Sequence, residues 1–173
     1  IYRNFFKRVF DITAIAMAAP VVVPLVGVLA VLVARDGGKP FYSQMRVGQG
    51  GTRFRMWKLR SMVCDADARM EDYLEAHPEA RLEWDLTQKL KDDPRITRFG
   101  KVLRQTSLDE LPQLWNVLIG DMSLVGLRPA LFNQNALIAE RKARRIDALR
   151  PGITGWAQAN GWRGDTSIKK RVQ

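Results

Sequence analysis

From Ile12 to Ala34 the chain runs for 23 residues without a formal charge, and Thr13 is the one clearly polar side chain among them. As a single helix this stretch would be about 34 Å long, enough to cross the hydrocarbon core of a bilayer. Pro20 and Pro24 lie in its middle. Each removes an N–H and crowds the carbonyl four residues earlier. That predicts a strong bend near Ala16–Pro20 and two apolar arms of about 12–15 Å, which reach roughly halfway through a bilayer. Arg3, Lys7 and Arg8 precede the segment, and Arg35, Lys39 and Arg46 follow it. The positive-inside tendency places both ends on the cytoplasmic side. The pattern therefore predicts a re-entrant helix–break–helix in preference to a kinked span. Its length and the lack of a processing context separate it from a cleavable signal.

Beyond this segment the periodicity changes. Phe41–Val47 and Thr52–Met62 read as extended runs joined by Gly48-Gln49-Gly50-Gly51. Phe54, Met56 and Leu59 interleave there with Arg53, Arg55, Lys58 and Arg60, which predicts a β-hairpin with a basic face. That face suits either anionic lipid or a bound phosphate. Asp65–Asp93 holds ten acids against four bases, with Met70, Leu74, Leu82, Trp84 and Leu86 scattered through it. It reads as a polar helical excursion interrupted at Pro78, its acids a solvated face rather than a metal site. Leu111, Leu114, Trp115 and Leu118 form an i, i+3, i+4, i+7 stripe, either core or the face of a helix lying in the bilayer surface. A last helix is expected from Pro129 to Leu149, ended by Pro151-Gly152, with Arg141-Lys142-Ala143-Arg144-Arg145 as a solvent or headgroup face.

The expected fold class is α+β and mostly helical: a monotopic membrane protein with a re-entrant helix, surface amphipathic helices and a small β-hairpin. Residues 1–35 form the membrane segment with its basic flanks. Residues 36–173 form a cytoplasmic-face domain carrying the chemistry, the two being one functional unit.

Composition narrows the chemistry. At 173 residues the chain suits one domain with a real core, and its start at Ile1 rather than Met is that expected of a fragment or processed chain. Cys64 and His77 are the only cysteine and histidine. An internal disulfide is excluded, a reducing compartment fits, and zinc catalysis, a Ser-His-Asp triad or a Cys-His pair is close to excluded. The net charge of +10 is uneven: residues 1–60 carry ten Lys/Arg against two acids, and residues 61–173 eighteen against sixteen. A basic collar around an apolar segment points to anionic lipid, not nucleic acid. Five tryptophans, Trp57, Trp84, Trp115, Trp156 and Trp162, agree with a membrane–water boundary.

The run Leu103–Leu118 carries the most chemical information. Ser107 followed by Glu110 has the spacing of a capping box; alternatively Asp109 caps a helix that tolerates Pro112 in its first turn. Either way both carboxylates sit at the positive end of a helix, where they stay ionised and can hold water or a cation. Taken alone they read as caps. Arg104 and Arg128 alter that reading, because a carboxylate nucleophile, a second carboxylate and guanidinium groups form a phosphoryl-transfer set. A hard divalent cation, Mg²⁺, would let an anionic nucleophile approach an anionic diphosphate.

Several motifs together resemble the bacterial sugar transferase family, the monotopic polyprenol-phosphate phosphoglycosyl transferases. They are Trp57-Lys58-Leu59-Arg60-Ser61-Met62, Arg95-Ile96-Thr97-Arg98-Phe99-Gly100, Arg104-Gln105-Thr106-Ser107-Leu108-Asp109-Glu110-Leu111-Pro112-Gln113, Gly120-Asp121-Met122-Ser123-Leu124-Val125-Gly126 and Pro151-Gly152-Ile153-Thr154-Gly155. The resemblance covers about Phe5 to Gly161. It implies that Asp109 attacks the β-phosphate of a UDP-sugar, releasing UMP and leaving a sugar-phosphoryl aspartate, which a polyprenol (undecaprenyl) phosphate then attacks. Glu110 would assist as base or in placing Mg²⁺, with Asp109 and Glu110 as the metal's ligands. Arg104, Arg128 and the adjoining Pro129, together with Lys58 and Arg60, would hold phosphate or nucleotide groups. The implied place is the cytoplasmic face of the bacterial inner membrane, at the first membrane step of glycoconjugate or exopolysaccharide synthesis. Leu127-Arg128-Pro129 stands where the family has Pro-Arg-Pro. Ala19-Pro20 replaces the usual Ser-Pro at the membrane break, so Pro24 is expected to share it. The family leads one to expect a further C-terminal segment past Gln173. The sugar is not readable, a homo-oligomer is left open, and the competing reading is a non-catalytic membrane adaptor that binds anionic lipid.

Overall fold

The computed structural model describes residues 2–87 and 90–160; Trp162 lies outside them. In chain order the elements are α1 (Tyr2–Ala34), β1 (Phe41–Val47), β2 (Arg53–Leu59), α2 (Ala66–Ala76), α3 (Pro78–Thr87), α4 (Arg98–Thr106), α5 (Gln113–Ile119), β3 (Ser123–Val125), α6 (Asn135–Ala143), β4 (Gly152–Thr154) and α7 (Trp156–Ala159). Short 3₁₀ turns occupy Gln49–Gly51 and Leu108–Glu110. The fold is α+β, with one long apolar N-terminal helix and a small antiparallel hairpin made by β1 and β2.

Helix α1 differs from the expected helix–break–helix in one respect. Its backbone is helical throughout, with Pro20 and Pro24 both inside it. Two prolines four residues apart forfeit two backbone bonds, and the turns on either side hold the remainder. The helix runs on through Ala19-Pro20 and Pro24 as one element. Met17, Val21, Val23, Val28 and Val31 are all exposed, and 11% of the most apolar window is buried. A core helix of a water-soluble domain would be covered along one stripe.

The chain divides into two compact units, one of Ile1–Val26, Tyr42–Lys58 and Glu110–Gln173, the other of Gly27–Phe41 and Leu59–Asp109. In the first unit, Ile15, Phe54, Met56, Val117 and Met122 form the core, flanked by Leu114, Leu124 and Ile153. The predicted alternation in β2 is present, with Phe54 and Met56 buried between exposed Arg53 and Arg55. Strands β3 and β4 form a two-stranded parallel pair, Ser123 opposite Gly152 and Val125 opposite Thr154. The pair depends on close backbone approach: a Cβ on Gly152 would stand 2.0 Å from Gly126 N. The early turns of α1 are tied into this unit. The buried Asp11 carboxylate accepts from Ser123 Oγ at 2.6 Å and from the Leu124 amide at 3.3 Å. Lys7 donates to the Val125 carbonyl at 2.6 Å, and the Arg8 guanidinium caps the end of α5 by donating to the Val117 and Leu118 carbonyls.

In the second unit α2 and α3 meet at His77, the residue before Pro78, as the proline predicted. Met70, Leu74 and Ala80 form a separate small core with Tyr73, Trp84 and Leu90. Thr97 caps α4 by accepting from the Gly100 amide at 2.8 Å.

Two local expectations change. Helix α6 is shorter than Pro129–Leu149, because Ala130 pairs with Val47 and Leu131–Gln134 forms a turn before it, while Arg145 takes a positive φ after it. Arg141 also leaves the expected solvent face: it is buried and donates to the Arg128 carbonyl at 2.8 Å.

Candidate functional site

The carboxylate pair sits in the 3₁₀ turn Leu108–Glu110, between the end of α4 and the start of α5. Neither expected cap forms. Ser107 closes α4 in the left-handed conformation, φ 57°, and the residue preceding α5 is Pro112, which has no capping side chain. A left-handed residue ending one helix cannot also begin the next with extended backbone, so the Ser107–Glu110 box is lost. Asp109 is buried in the second unit, and Glu110 belongs to the first.

Glu110 is gripped by two cations. Lys58 Nζ lies 2.7 Å from its Oε1 and Arg128 Nη2 lies 3.1 Å from the same atom. Oε2 has no hydrogen-bond partner among the described residues. Burial pushes the Glu110 carboxyl up, but the charge and hydrogen bond of Lys58, then those of Arg128, outweigh it and leave the group below its ordinary value. The strand explains why Lys58 arrives there. Phe54, Met56 and Lys58 share one face of β2 by the two-residue repeat, so the third position of the inward face is a cation. Asn116 of α5 fixes that strand: its Nδ2 donates to the Arg55 carbonyl at 2.7 Å and its Oδ1 accepts from the Trp57 amide at 3.1 Å. Arg141, by holding the Arg128 carbonyl, positions the other cation.

Glu110 and Arg128 line a small cleft with Arg46, Gln113, Pro129 and Ile153. Two donors in it are unsatisfied among the described residues: Arg46 Nε and Gln113 Nε2, the latter on a side chain that is 2% exposed. Burial and then the like charge of Arg128 lower the Arg46 pKa, while Tyr42 and Glu110 oppose them. Arg46 and Arg128 line the cleft with Glu110, and Lys58 pairs with Glu110 from β2. The guanidinium groups and the open N–H groups suit an anion with several oxygens, such as a phosphate.

The structure thus brings together four of the sequence-selected residues, Glu110, Lys58, Arg128 and Pro129. Arg104 and Arg60 belong to the second unit with Asp109. Arg104 donates through Nε to Ser61 Oγ at 2.8 Å and is otherwise exposed. Arg60 is differently occupied. Its five donors go to the carbonyls of Val33, Lys39 and Met62 and to both oxygens of Asp36, which anchors the end of α1 and leaves none for a phosphate. The hydrogen bond to Arg60 holds Asp36 below, and in turn Arg60 above, the ordinary value. Arg46, Gln113, Asn116 and Arg141 were not picked out from the sequence as site residues. A polar residue at the helical position between Leu114 and Val117 is the one available signal for Asn116.

No group of three or more His, Cys, Asp or Glu side chains forms a metal cluster among the described residues. Mg²⁺ needs less, since it keeps waters and takes one or two carboxylates plus substrate phosphates. Carboxylates such as Asp109 and, through Oε2, Glu110 suit that demand; Glu110 Oε1 is already shared by two cations.

The family model for bacterial sugar transferases matches residues 2–173. The chain belongs to this bacterial sugar transferase family. Among its relatives it is 46% identical, over 98% of its own length and 35% of the relative's, to the UDP-galactose-lipid carrier transferase of Erwinia amylovora. It is 44% identical, again over 98% of its length and 35% of the relative's, to the undecaprenyl-phosphate galactose phosphotransferase of Salmonella typhimurium. The exopolysaccharide production protein ExoY of Rhizobium meliloti is 41% identical over 96% of this chain and 73% of that protein. The chain spans about a third of the length of the first two.

Proposed function

We propose that this bacterial sugar transferase moves a sugar-1-phosphate from a UDP-sugar to undecaprenyl phosphate, as the first membrane step in building an exopolysaccharide or other glycoconjugate. The cleft around Glu110 carries the reading: guanidinium groups beside open N–H donors, in a chain whose relatives are named for lipid-carrier sugar transfer. In the first step an Asp109 carboxylate oxygen bonds to the β-phosphorus of the donor. The bond from that phosphorus to the bridging oxygen breaks, and UMP leaves with the electron pair. In the second step an oxygen of undecaprenyl phosphate bonds to the same phosphorus, the aspartyl bond breaks, and Asp109 is restored. Arg46, Lys58 and Arg128 bind phosphate oxygens and stabilise the charge that develops on them. Arg104 holds a second phosphate or the nucleotide. Glu110 keeps Lys58 and Arg128 in register and offers Oε2 to the acceptor's proton. Asp109, with Glu110, would hold Mg²⁺, which when bound would neutralise part of the phosphate charge.

The same reading places α1 in the cytoplasmic leaflet of the inner membrane, bent at Pro20 and Pro24 so that both ends return to the cytoplasmic face. Its exposed apolar length supports this.

The test is to incubate the protein in nanodiscs with Mg²⁺, undecaprenyl phosphate and a panel of UDP-sugars. Wild type is expected to release UMP with at least one sugar, and Asp109→Asn to release none. Without acceptor, wild type should gain the mass of one sugar phosphate, with the adduct on Asp109. Turnover by Asp109→Asn at the wild-type rate would remove the nucleophile assignment, and no UMP with any sugar would leave a membrane adaptor. For topology, single cysteines at Asn4 and Lys39, with Cys64 replaced, should label from the same side of oriented vesicles; opposite sides would mean a span.

A further inference from the structure

We propose that a cavity beside the first turns of α1 binds the phosphate of an anionic membrane phospholipid. The cavity encloses about 280 Å³ and is lined by Phe5, Lys7, Arg8, Asp11, Leu149 and Arg150 among others. A liquid water occupies about 30 Å³, so several waters or one phosphodiester headgroup fit. Sites that take a whole drug-sized ligand usually run from about 300 to 1,000 Å³.

The charges select an anion. Asp11 is turned onto Ser123 Oγ and the Leu124 amide. Among the described residues Lys7 and Arg8 reach neutral carbonyls alone, at Val125, Val117 and Leu118. The Arg150 guanidinium, half-buried in the wall, has no hydrogen-bond or ion-pair partner among the described residues. Three cations therefore surround the cavity against one acid that is already bonded. Lys7 and Arg150 retain N–H donors for phosphate oxygens.

The rim selects a lipid over a free anion. Phe5 is 64% exposed and Leu149 47%. Phe6 and Phe10 continue the apolar surface along α1, and Trp115, Leu118 and Ile119 are exposed on α5, whose end Arg8 caps. A dissolved phosphate leaves that apolar surface in water. A phospholipid covers it with acyl chain while its phosphate enters the cavity, and aromatic side chains suit the headgroup level. The lining shares no residue with the cleft around Glu110. The bound lipid is thus a resident of the membrane, and the inference rests on the membrane reading of α1, not on the transfer reaction.

The full chain in neutral detergent is titrated with dioctanoyl phosphatidylglycerol, dioctanoyl phosphatidylcholine and inorganic phosphate, and bound ligand is read by native mass spectrometry. A single phosphatidylglycerol adduct is expected, with phosphatidylcholine and phosphate at least tenfold weaker. Arg150→Gln should weaken the adduct by about tenfold, the usual weight of one hydrogen bond to a charged group. Arg150→Lys should keep most of it, and Lys7→Gln reports on the opposite wall should Arg150→Gln fail to fold. A phosphatidylglycerol adduct indifferent to both Gln variants, or matched by phosphatidylcholine, overturns the site. Inorganic phosphate binding as tightly, and lost in Arg150→Gln, overturns the lipid source. UMP release in parallel separates the two readings: turnover without a phosphatidylglycerol adduct refutes only the lipid site. An Arg150-dependent adduct without turnover refutes only the reaction.

Discussion

Replacing Lys58 with methionine keeps the length of the side chain on β2 and removes one of the two cations on Glu110. Lys58 Nζ is 2.7 Å from Oε1, and the two side chains are 18% and 17% exposed. Exposed pairs contribute about 0–1 kcal/mol, whereas breaking a fully buried pair costs about 3–5 kcal/mol. This pair lies between those limits, and Arg128 remains to hold the carboxylate, so a loss of about 2 kcal/mol is expected. For a chain of 173 residues that lowers Tm by roughly 4–8 °C. Glu110 titrates below its ordinary 4.5 in the folded state, so its stabilisation is complete above that value and is lost as pH falls through the lower folded one. The gap between wild type and Lys58→Met should therefore be full at pH 7 and shrink below pH 4.5. Thermal melts in nanodiscs, followed by tryptophan fluorescence for wild type, Lys58→Met, Glu110→Gln and the double variant, measure both effects. A coupling under about 0.5 kcal/mol at pH 7, or a gap that stays constant into acid, would refute the clamp.

Three further perturbations probe neighbouring features. Gln113→Leu replaces a buried amide bearing an unsatisfied donor, so stability should hold or rise by about 1 kcal/mol while KM for the UDP-sugar increases; an unchanged KM would remove Gln113 from phosphate binding. Asp11→Ala strands Ser123 Oγ, on a residue 1% exposed, and the Leu124 amide, at a cost of about 2–4 kcal/mol in melts, which Asp11→Asn should partly recover. Gly152→Ala sets a methyl 2.0 Å from Gly126 N and 2.6 Å from Thr154 O, both backbone atoms. Limited proteolysis should then cut near β3 and β4 in the variant but not in wild type.

The elements readable in the sequence are those whose signal is local and repeated. The two-residue alternation of Phe54 and Met56 with arginines gave the hairpin, and Pro78 marked the junction of α2 and α3. The β3–β4 pair was invisible because each strand has three residues and its partner lies 29 positions away, too short for any period to register. The capping box had the right spacing, but Ser107 entered the left-handed region to end α4, a choice that spacing does not encode. The length of α6 was overread because Ala130 was taken into a bridge with Val47.

The sequence by itself determined the kinds of groups available: a carboxylate pair, many more cations than acids near the apolar segment, and an apolar length that water does not cover. Tertiary structure decided which of those cations reach Glu110. Lys58 lies 52 residues from it and Arg128 18 residues away, while Arg60, two positions beyond Lys58, closes on Asp36. Residues two apart on a strand share a face by the pleat, yet Leu59 ends β2 and frees Arg60 from that rule. Where a strand stops, and what carbonyls and carboxylates wait at its end, depends on packing between distant segments. That is why Asp109 and Glu110 were legible as candidates, and the cationic cleft around Glu110 was not.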